Sequence, residues 1–219
     1  MFCNQLISSE ITPISLNYRV EQILHLMDEY HIRQIPVIDG DAFLGMVAED
    51  DLLDVDSDKL MVEVVHKLIG FNVKATDFFL LAVKLVYLYD LDIVPVVNDK
   101  LVLEGVVTKQ TLFKHLAEMS GAGSNGATVL LEMEQIDYNP ALFNRLVESN
   151  DAFITHLNSW SDPGTNRLHV LIQINKQEVS DILATFQRYD FNVRHFAGEE
   201  LYTNELQTNF NQLMHYLNM

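Results

Sequence analysis

A formal net charge of −17 over 219 residues leaves no basic surface to neutralise phosphates, so nucleic acid and anionic membrane are not expected partners. Cys3 is the single cysteine, which excludes an intrachain disulfide and any cysteine-based metal cluster. Apolar runs such as Phe78 to Val83 are too short to cross a bilayer, and no basic segment leads into a long apolar run at the N-terminus. A cytoplasmic protein is the expectation.

In chain order, Val20, Ile23, Leu24, Met27 and Tyr30 recur at helical spacing and predict a helix capped by Asn17. Ile32 to Ile38 reads as a strand broken at Asp39-Gly40-Asp41, and Phe43 to Val47 as its partner. Glu49-Asp50-Asp51 then sits where a helix begins, at the positive end of its dipole. The same order returns: Asp77 as cap, a helix over Phe78 to Tyr89, strands over Ile93 to Val97 and Val102 to Val107, and a helix opened by Thr108. Ile35-Pro36-Val37-Ile38 recurs as Val94-Pro95-Val96-Val97, and Gly45-Met46-Val47 as Gly105-Val106-Val107. The offset is 59 residues at the prolines and 60 at the glycines. Such a repeat implies two modules packed about an approximate two-fold axis, here about 1–58 and 59–117.

These repeated residues resemble a tandem pair of cystathionine-beta-synthase-type (CBS) domains, the Bateman module. The resemblance implies clefts between paired domains that take adenosine-containing ligands, and disc-like homodimers. It also implies that a Ser or Thr opens the last helix, with an Asp three residues later on the ribose hydroxyls. In this chain that pattern is split. The first copy has Ala48 and Asp51; the second has Thr108 and Thr111. Alanine has no hydrogen-bonding side chain, and threonine lacks the charge of a carboxylate. Asp51 and Thr108 also serve simply as helix caps in an alternative reading. The string Asp50, Asp51, Asp54, Asp56, Asp58 fails as a calcium loop, because the sixth and twelfth positions counted from Asp54 are Lys59 and Val65. It reads as a solvated surface, and no metal site is expected.

Residues 118–126 are small and polar with three glycines, which predicts a linker. Beyond it, Thr128 to Met133 reads as a strand and Leu142, Leu146 and Val147 mark a helix. Phe153 to Ser159 and Leu168 to Ile174 are strands about the turn Ser161-Asp162-Pro163-Gly164, followed by a helix over Val179 to Phe186 and a strand over Asn192 to Phe196. The order βαββαβ is ferredoxin-like. The span 127–198 resembles an ACT domain, a regulatory fold associated with amino-acid sensing, with Ala141 where a glycine is expected. Asp137 and Asn139 either cap the helix or hold a ligand amine. Residues 199–219 carry Leu206, Phe210, Leu213 and Leu217 at helical spacing and predict a C-terminal helical extension.

No His-Glu-x-x-His, nucleophile-elbow or Walker-type motif occurs, so no enzymatic activity is expected. The fold class is α+β, a tandem CBS pair followed by an ACT-like domain, similar to acetoin-utilisation accessory proteins and stand-alone CBS–ACT regulators. The expected function is a non-catalytic sensor, with no required cofactor. AMP, ADP, ATP or S-adenosylmethionine in the CBS cleft is coupled to the association of domains, of a homodimer or of an unknown protein partner. The alternative is a ligand-free scaffold acting through its homodimer surface.

Overall fold

The structure, a computed structural model, describes residues 1–199. The helical extension expected over 199–219 therefore lies, Glu199 apart, outside the described residues. The chain divides into two compact units, Met1–Leu116 and a second beginning at Ala117.

The first unit contains two copies of one arrangement. In the first copy, β1 (Ile14–Ser15), β2 (Gln34–Asp39) and β3 (Ala42–Ala48) form a sheet in that order, with α1 (Val20–Tyr30) and the single-turn α2 (Glu49–Leu52). In the second, β4 (Val73–Lys74), β5 (Ile93–Val97) and β6 (Leu103–Thr108) repeat the sheet, with α3 (Leu80–Tyr89) and α4 (Lys109–Met119). The first strand of each sheet is parallel to the second and the third is antiparallel to it. Even the irregularities match: register shifts fall at Val37/Ile38 and at Val96/Val97.

α1 buries Val20, Ile23 and Met27 as one stripe, but Asn17 does not cap it. The helix begins after Arg19, and the N–H groups of Val20 and Glu21 donate to the carbonyls of Lys59 and Ser57 at 2.9 and 3.1 Å. Backbone from the connecting segment thus satisfies donors that a side-chain cap would otherwise take. Asp77 is likewise not the cap of α3. Its carboxylate accepts from Lys74 N–H at 2.8 Å and closes a turn, and α3 starts three residues later.

Each repeat lends its leading segment to the other. Met46 lies opposite Pro36, which has no N–H, and exchanges backbone hydrogen bonds with Ile69 at 2.8 and 2.9 Å. Val106 lies opposite Pro95 and exchanges bonds with Ser8 at 2.8 and 3.4 Å. Two 3-10 turns, Cys3–Gln5 and Met61–Lys67, belong to these exchanged segments. Gly45 and Gly105 make the close approach possible: their φ angles are 152° and 146°. A Cβ on Gly45 would lie 3.0 Å from the Ile69 carbonyl oxygen, and one on Gly105 would overlap Ile7 Cγ2.

The second unit is a four-stranded antiparallel sheet in the order β10-β7-β9-β8, built from β7 (Thr128–Met133), β8 (Ile154–Ser161), β9 (Leu168–Ile174) and β10 (Asn192–Ala197). Phe143 and Val147 of α5 (Pro140–Glu148) and Ile182 and Phe186 of α6 (Ser180–Arg188) share one core with Val129, Leu131, Val170 and Ile172. Within 118–126, the chain is held to β9. Gln173 Nε2 donates to the Gly121 carbonyl at 2.9 Å, and the Ser124 hydroxyl donates to Gln173 Oε1 at 3.2 Å.

Gly105→Ala should destabilise the first unit by about 1–3 kcal/mol, because left-handed strain adds to the overlap with Ile7. Urea unfolding of the variant against the wild-type chain checks this. Ile7→Ala should return part of the loss.

Candidate functional site

A cleft of about 770 Å³ opens in the first unit where β6 passes into α4. Thr108 ends the strand, and its Oγ1 accepts the backbone N–H of Thr111 at 3.1 Å, an N-cap bond. The two hydroxyl oxygens are 2.9 Å apart and share a hydrogen bond. The C-terminal end of α1 supplies Glu29 and Tyr30 to the cleft, followed by His31 and Ile32. Ser8, Glu10 and Ile11 of the exchanged N-terminal segment and Ile93 at the start of β5 complete its wall. His31 ends α1 in the left-handed region, φ 54°, which turns the chain back toward β2.

The floor between the repeats is ionic. Arg33 and Asp92 occupy equivalent positions in the two copies and meet directly. Arg33 Nε donates to Asp92 Oδ2 at 3.0 Å, Nη2 to Oδ1 at 3.1 Å, and the Arg33 backbone N–H to Oδ2 at 2.9 Å. Arg33 Nη1 reaches Asp90 Oδ2 at 3.0 Å, and Lys109 Nζ reaches Asp90 Oδ1 at 3.1 Å. Hydrogen bonds to Asp92 and then Asp90 hold the Arg33 guanidinium well above its usual value. Burial pushes the Asp92 carboxyl up, but its bonds from Arg33 outweigh that and leave it below the usual carboxylate range. Asp90 is lowered by Arg33 and then by Lys109.

The two clefts related by the repeat differ. Ala48, equivalent to Thr108, stands before α2 without a side-chain cap bond, and α2 ends after one turn at Leu52. Asp51, equivalent to Thr111, is the third residue of that turn. Thr108 and Thr111 are therefore brought together, while Ala48 and Asp51 lie at the other repeat. Tyr89 is the counterpart of Tyr30, and Phe71 stacks on it with ring centroids 4.0 Å apart and planes at 29°. Phe71 thus packs on one face of the Tyr89 ring, which is still about half exposed. Sequence reading named the threonine pair but missed Tyr30, His31 and Glu10. The 59-residue offset pointed to Tyr30, since it aligns with Tyr89.

In the second unit a cavity of about 590 Å³ is lined by Glu132, Glu134, Asp137, Asn139, Tyr138 and Arg167, among others. Asn139 caps α5, its Oδ1 accepting Leu142 N–H at 3.1 Å, with Pro140 at the first helical position. Asp137 closes a 3-10 turn, Gln135–Asp137, and is exposed. Ala141 is exposed on the first turn of α5. Glu132 is the buried charge of this cavity, held by Arg194 Nε and Nη2 at 2.9 Å each. It went unremarked in the sequence because Arg194 is 62 positions away and only strand pairing unites them.

A family model for the CBS domain matches residues 3–58. The second repeat reproduces the strands, proline and glycine of that span in register. The N-terminal unit has the fold of a CBS-domain pair. A crystal structure of a CBS domain pair/ACT domain protein from Thermotoga maritima is 26% identical, with a TM-score of 0.50, over 54% of this chain and 98% of that one. The CBS domains of a transcriptional regulator from Streptococcus pneumoniae align at 21% identity and TM-score 0.47, over 52% of this chain and 98% of that one. A homoserine O-acetyltransferase from Methanobrevibacter ruminantium is 30% identical over 108 residues, 48% of this chain. The chain spans 22% of the length of that curated relative. The C-terminal βαββαβ unit resembles an ACT fold, and CBS pairs joined to ACT-like domains are non-catalytic regulatory modules. Among the described residues, no group of three His, Cys, Asp or Glu is placed to hold a metal ion. Nor is any helix among them long and apolar enough to cross a membrane.

The Asp92 contribution to stability should be complete above its ordinary value of about 4 and lost as the pH falls through its lower folded value. Arg33→Met should therefore lower the urea midpoint more at pH 7 than at pH 3. Unfolding curves at the two pH values test the sign.

Proposed function

We propose that this chain is a sensor that binds one adenosine-containing ligand in the cleft beside Thr108 and couples it to the association of domains or of a partner. The single observation that carries this reading is the open cleft at the end of β6. Its volume is within the ~300–1,000 Å³ range of small-molecule sites, and it combines apolar Ile11, Ile32 and Ile93 with two converging hydroxyls. The isoleucines suit a base, and the hydroxyls of Thr108 and Thr111 suit a ribose. Charge narrows the ligand further. Glu10 and Glu29 line the cleft, whereas Arg33 and Lys109 are engaged by Asp92 and Asp90. This balance favours AMP or S-adenosylmethionine over ADP and ATP, whose extra phosphates would meet like charge.

The aromatic stack of Phe71 on Tyr89 supports a stoichiometry of one ligand per chain, with the Ala48–Asp51 side unused. In the second unit, the amide oxygen of Asn139 is spent on Leu142, so Asp137 is the residue proposed for a ligand amine. The order of a CBS pair and an ACT-like domain supports a likeness to stand-alone CBS–ACT regulators and acetoin-utilisation accessory proteins. A match to 22% of an acetyltransferase does not carry that enzyme's activity here. The alternative, a ligand-free scaffold, is favoured by the missing carboxylate at Thr111 and the missing hydroxyl at Ala48.

Isothermal titration of the ligand-stripped chain with AMP, ADP, ATP and S-adenosylmethionine tests the proposal. Saturable binding of one equivalent is expected, with at least a tenfold loss in Thr108→Ala and a second equivalent admitted in Phe71→Ala. No saturable heat from any of the four at millimolar concentration would make the scaffold the better reading.

A further inference from the structure

Asn125 and Gly126 form the one Asn-Gly pair in the sequence, and they lie in the segment between α4 and β7. The chain is anchored on both sides of this pair. Before it, the Ser124 N–H donates to the Gly121 carbonyl at 2.9 Å and the Ser124 hydroxyl to Gln173 Oε1 at 3.2 Å. After it, the Ala127 N–H donates to the Lys176 carbonyl at 2.9 Å, and the Ala127 carbonyl accepts the Ile174 N–H at 2.9 Å. Gly126 is pressed against β9, since a Cβ there would overlap the Ile174 carbonyl oxygen. Packing therefore holds position 126 to glycine, the residue that shields its own backbone nitrogen least. The pair itself is unspent. Among the described residues, neither the Asn125 side chain nor the Gly126 N–H has a hydrogen-bond partner, and Asn125 is exposed. Other asparagines are engaged. Asn98 Oδ1 accepts the Lys100 N–H at 2.9 Å, Asn139 Oδ1 the Leu142 N–H at 3.1 Å, and Asn175 Oδ1 the Phe153 N–H at 2.8 Å.

We infer that Asn125 is a self-modification site, converted in the folded chain to aspartate and isoaspartate, and that the isoaspartyl form releases the anchor at Ala127. The Gly126 backbone nitrogen attacks Asn125 Cγ, and the new N–C bond closes a five-membered succinimide. The bond from Cγ to the side-chain nitrogen breaks, and that nitrogen leaves as ammonia with the proton that Gly126 gave up. One water then opens the ring. Water adding to Cγ breaks the Cγ–N bond and gives aspartate. Water adding to the main-chain carbonyl carbon breaks its bond to Gly126 and gives isoaspartate, whose backbone runs through Cβ and Cγ. Both products place a carboxylate where a neutral amide stood, but only isoaspartate lengthens the main chain by one atom. The span from Ser124 to Ala127 is fixed at both ends, and the Ile174 carbonyl fills the space beside Gly126. The added atom therefore displaces Ala127, which is fully buried, from Lys176 and Ile174. The segment that leads from α4 into the second unit is loosened at its last hold.

The full chain incubated at mildly alkaline pH tests this by peptide mapping, with mass spectra fragmented so that aspartate and isoaspartate are distinguished. The amide-to-acid change should fall on Asn125, at a rate within about tenfold of that in the urea-unfolded chain, while Asn98, Asn139 and Asn175 stay intact. Asn125→Gln should remain unmodified over the same time. Hydrogen exchange at the Ala127 amide should be at least tenfold faster in the isolated isoaspartyl form. It should be unchanged in Asn125→Asp, which carries the same charge on an ordinary backbone. A folded chain that converts more than about a hundredfold slower than the unfolded one would overturn the inference. So would conversion spread equally over the other asparagines, or Ala127 exchange that is the same in the isoaspartyl and Asn125→Asp forms.

Discussion

Pro36 and Pro95 lie in the buried stretches Gln34–Val37 of β2 and Ile93–Val97 of β5, and each sits opposite a residue whose backbone N–H and C=O point away from the hairpin and find partners elsewhere. Met46 finds Ile69, and Val106 finds Ser8. An unpaired buried amide costs about 1–3 kcal/mol, so each hairpin depends on a segment that precedes the other hairpin in the chain. The rest of the first unit follows from this exchange. It ties the repeats into one body, requires glycine at positions 45 and 105, and brings residues 8–11 to the lip of the Thr108 cleft.

The two-fold relation brings equivalent positions together, and at the junction the sequence departs from symmetry in a useful way. Two identical residues facing each other there would repel if charged. Arg33 in one copy and Asp92 in the other attract instead, and Asp90 and Lys109 extend the pair. These groups are partly exposed, so their value lies less in stability than in alignment. They fix the spacing of the elements around the cleft floor and engage both Arg33 and Lys109.

Divergence between the copies then distributes the roles. One repeat keeps Thr108 and Thr111 at an open cleft beside Tyr30, while the other has Ala48 and Asp51 at those positions and Phe71 stacked on Tyr89. The helices diverge in the same sense, α1 presenting acids and α3 presenting leucine and tyrosine.

Apart from the two-residue strands β1 and β4 that complete the sheets, the sequence by itself determined the repeat, the helix–strand–strand–helix order within each copy, and the βαββαβ order of the second unit. These depend on local periodicity and on Pro and Gly, whose backbone constraints act within a few residues. It also pointed to Thr108 and Thr111, because an N-cap and its partner are three residues apart. The caps assigned to Asn17 and Asp77 were not legible, since distant backbone and a local turn took over their roles. Only the tertiary structure decided that leading segments cross between repeats, that Arg33 meets Asp92, that Arg194 neutralises Glu132, and that Phe71 stacks on Tyr89. These join residues from 18 (Phe71 and Tyr89) to 98 (Ser8 and Val106) positions apart, and such pairs are chosen by sheet register and two-fold packing, which no local window of sequence contains.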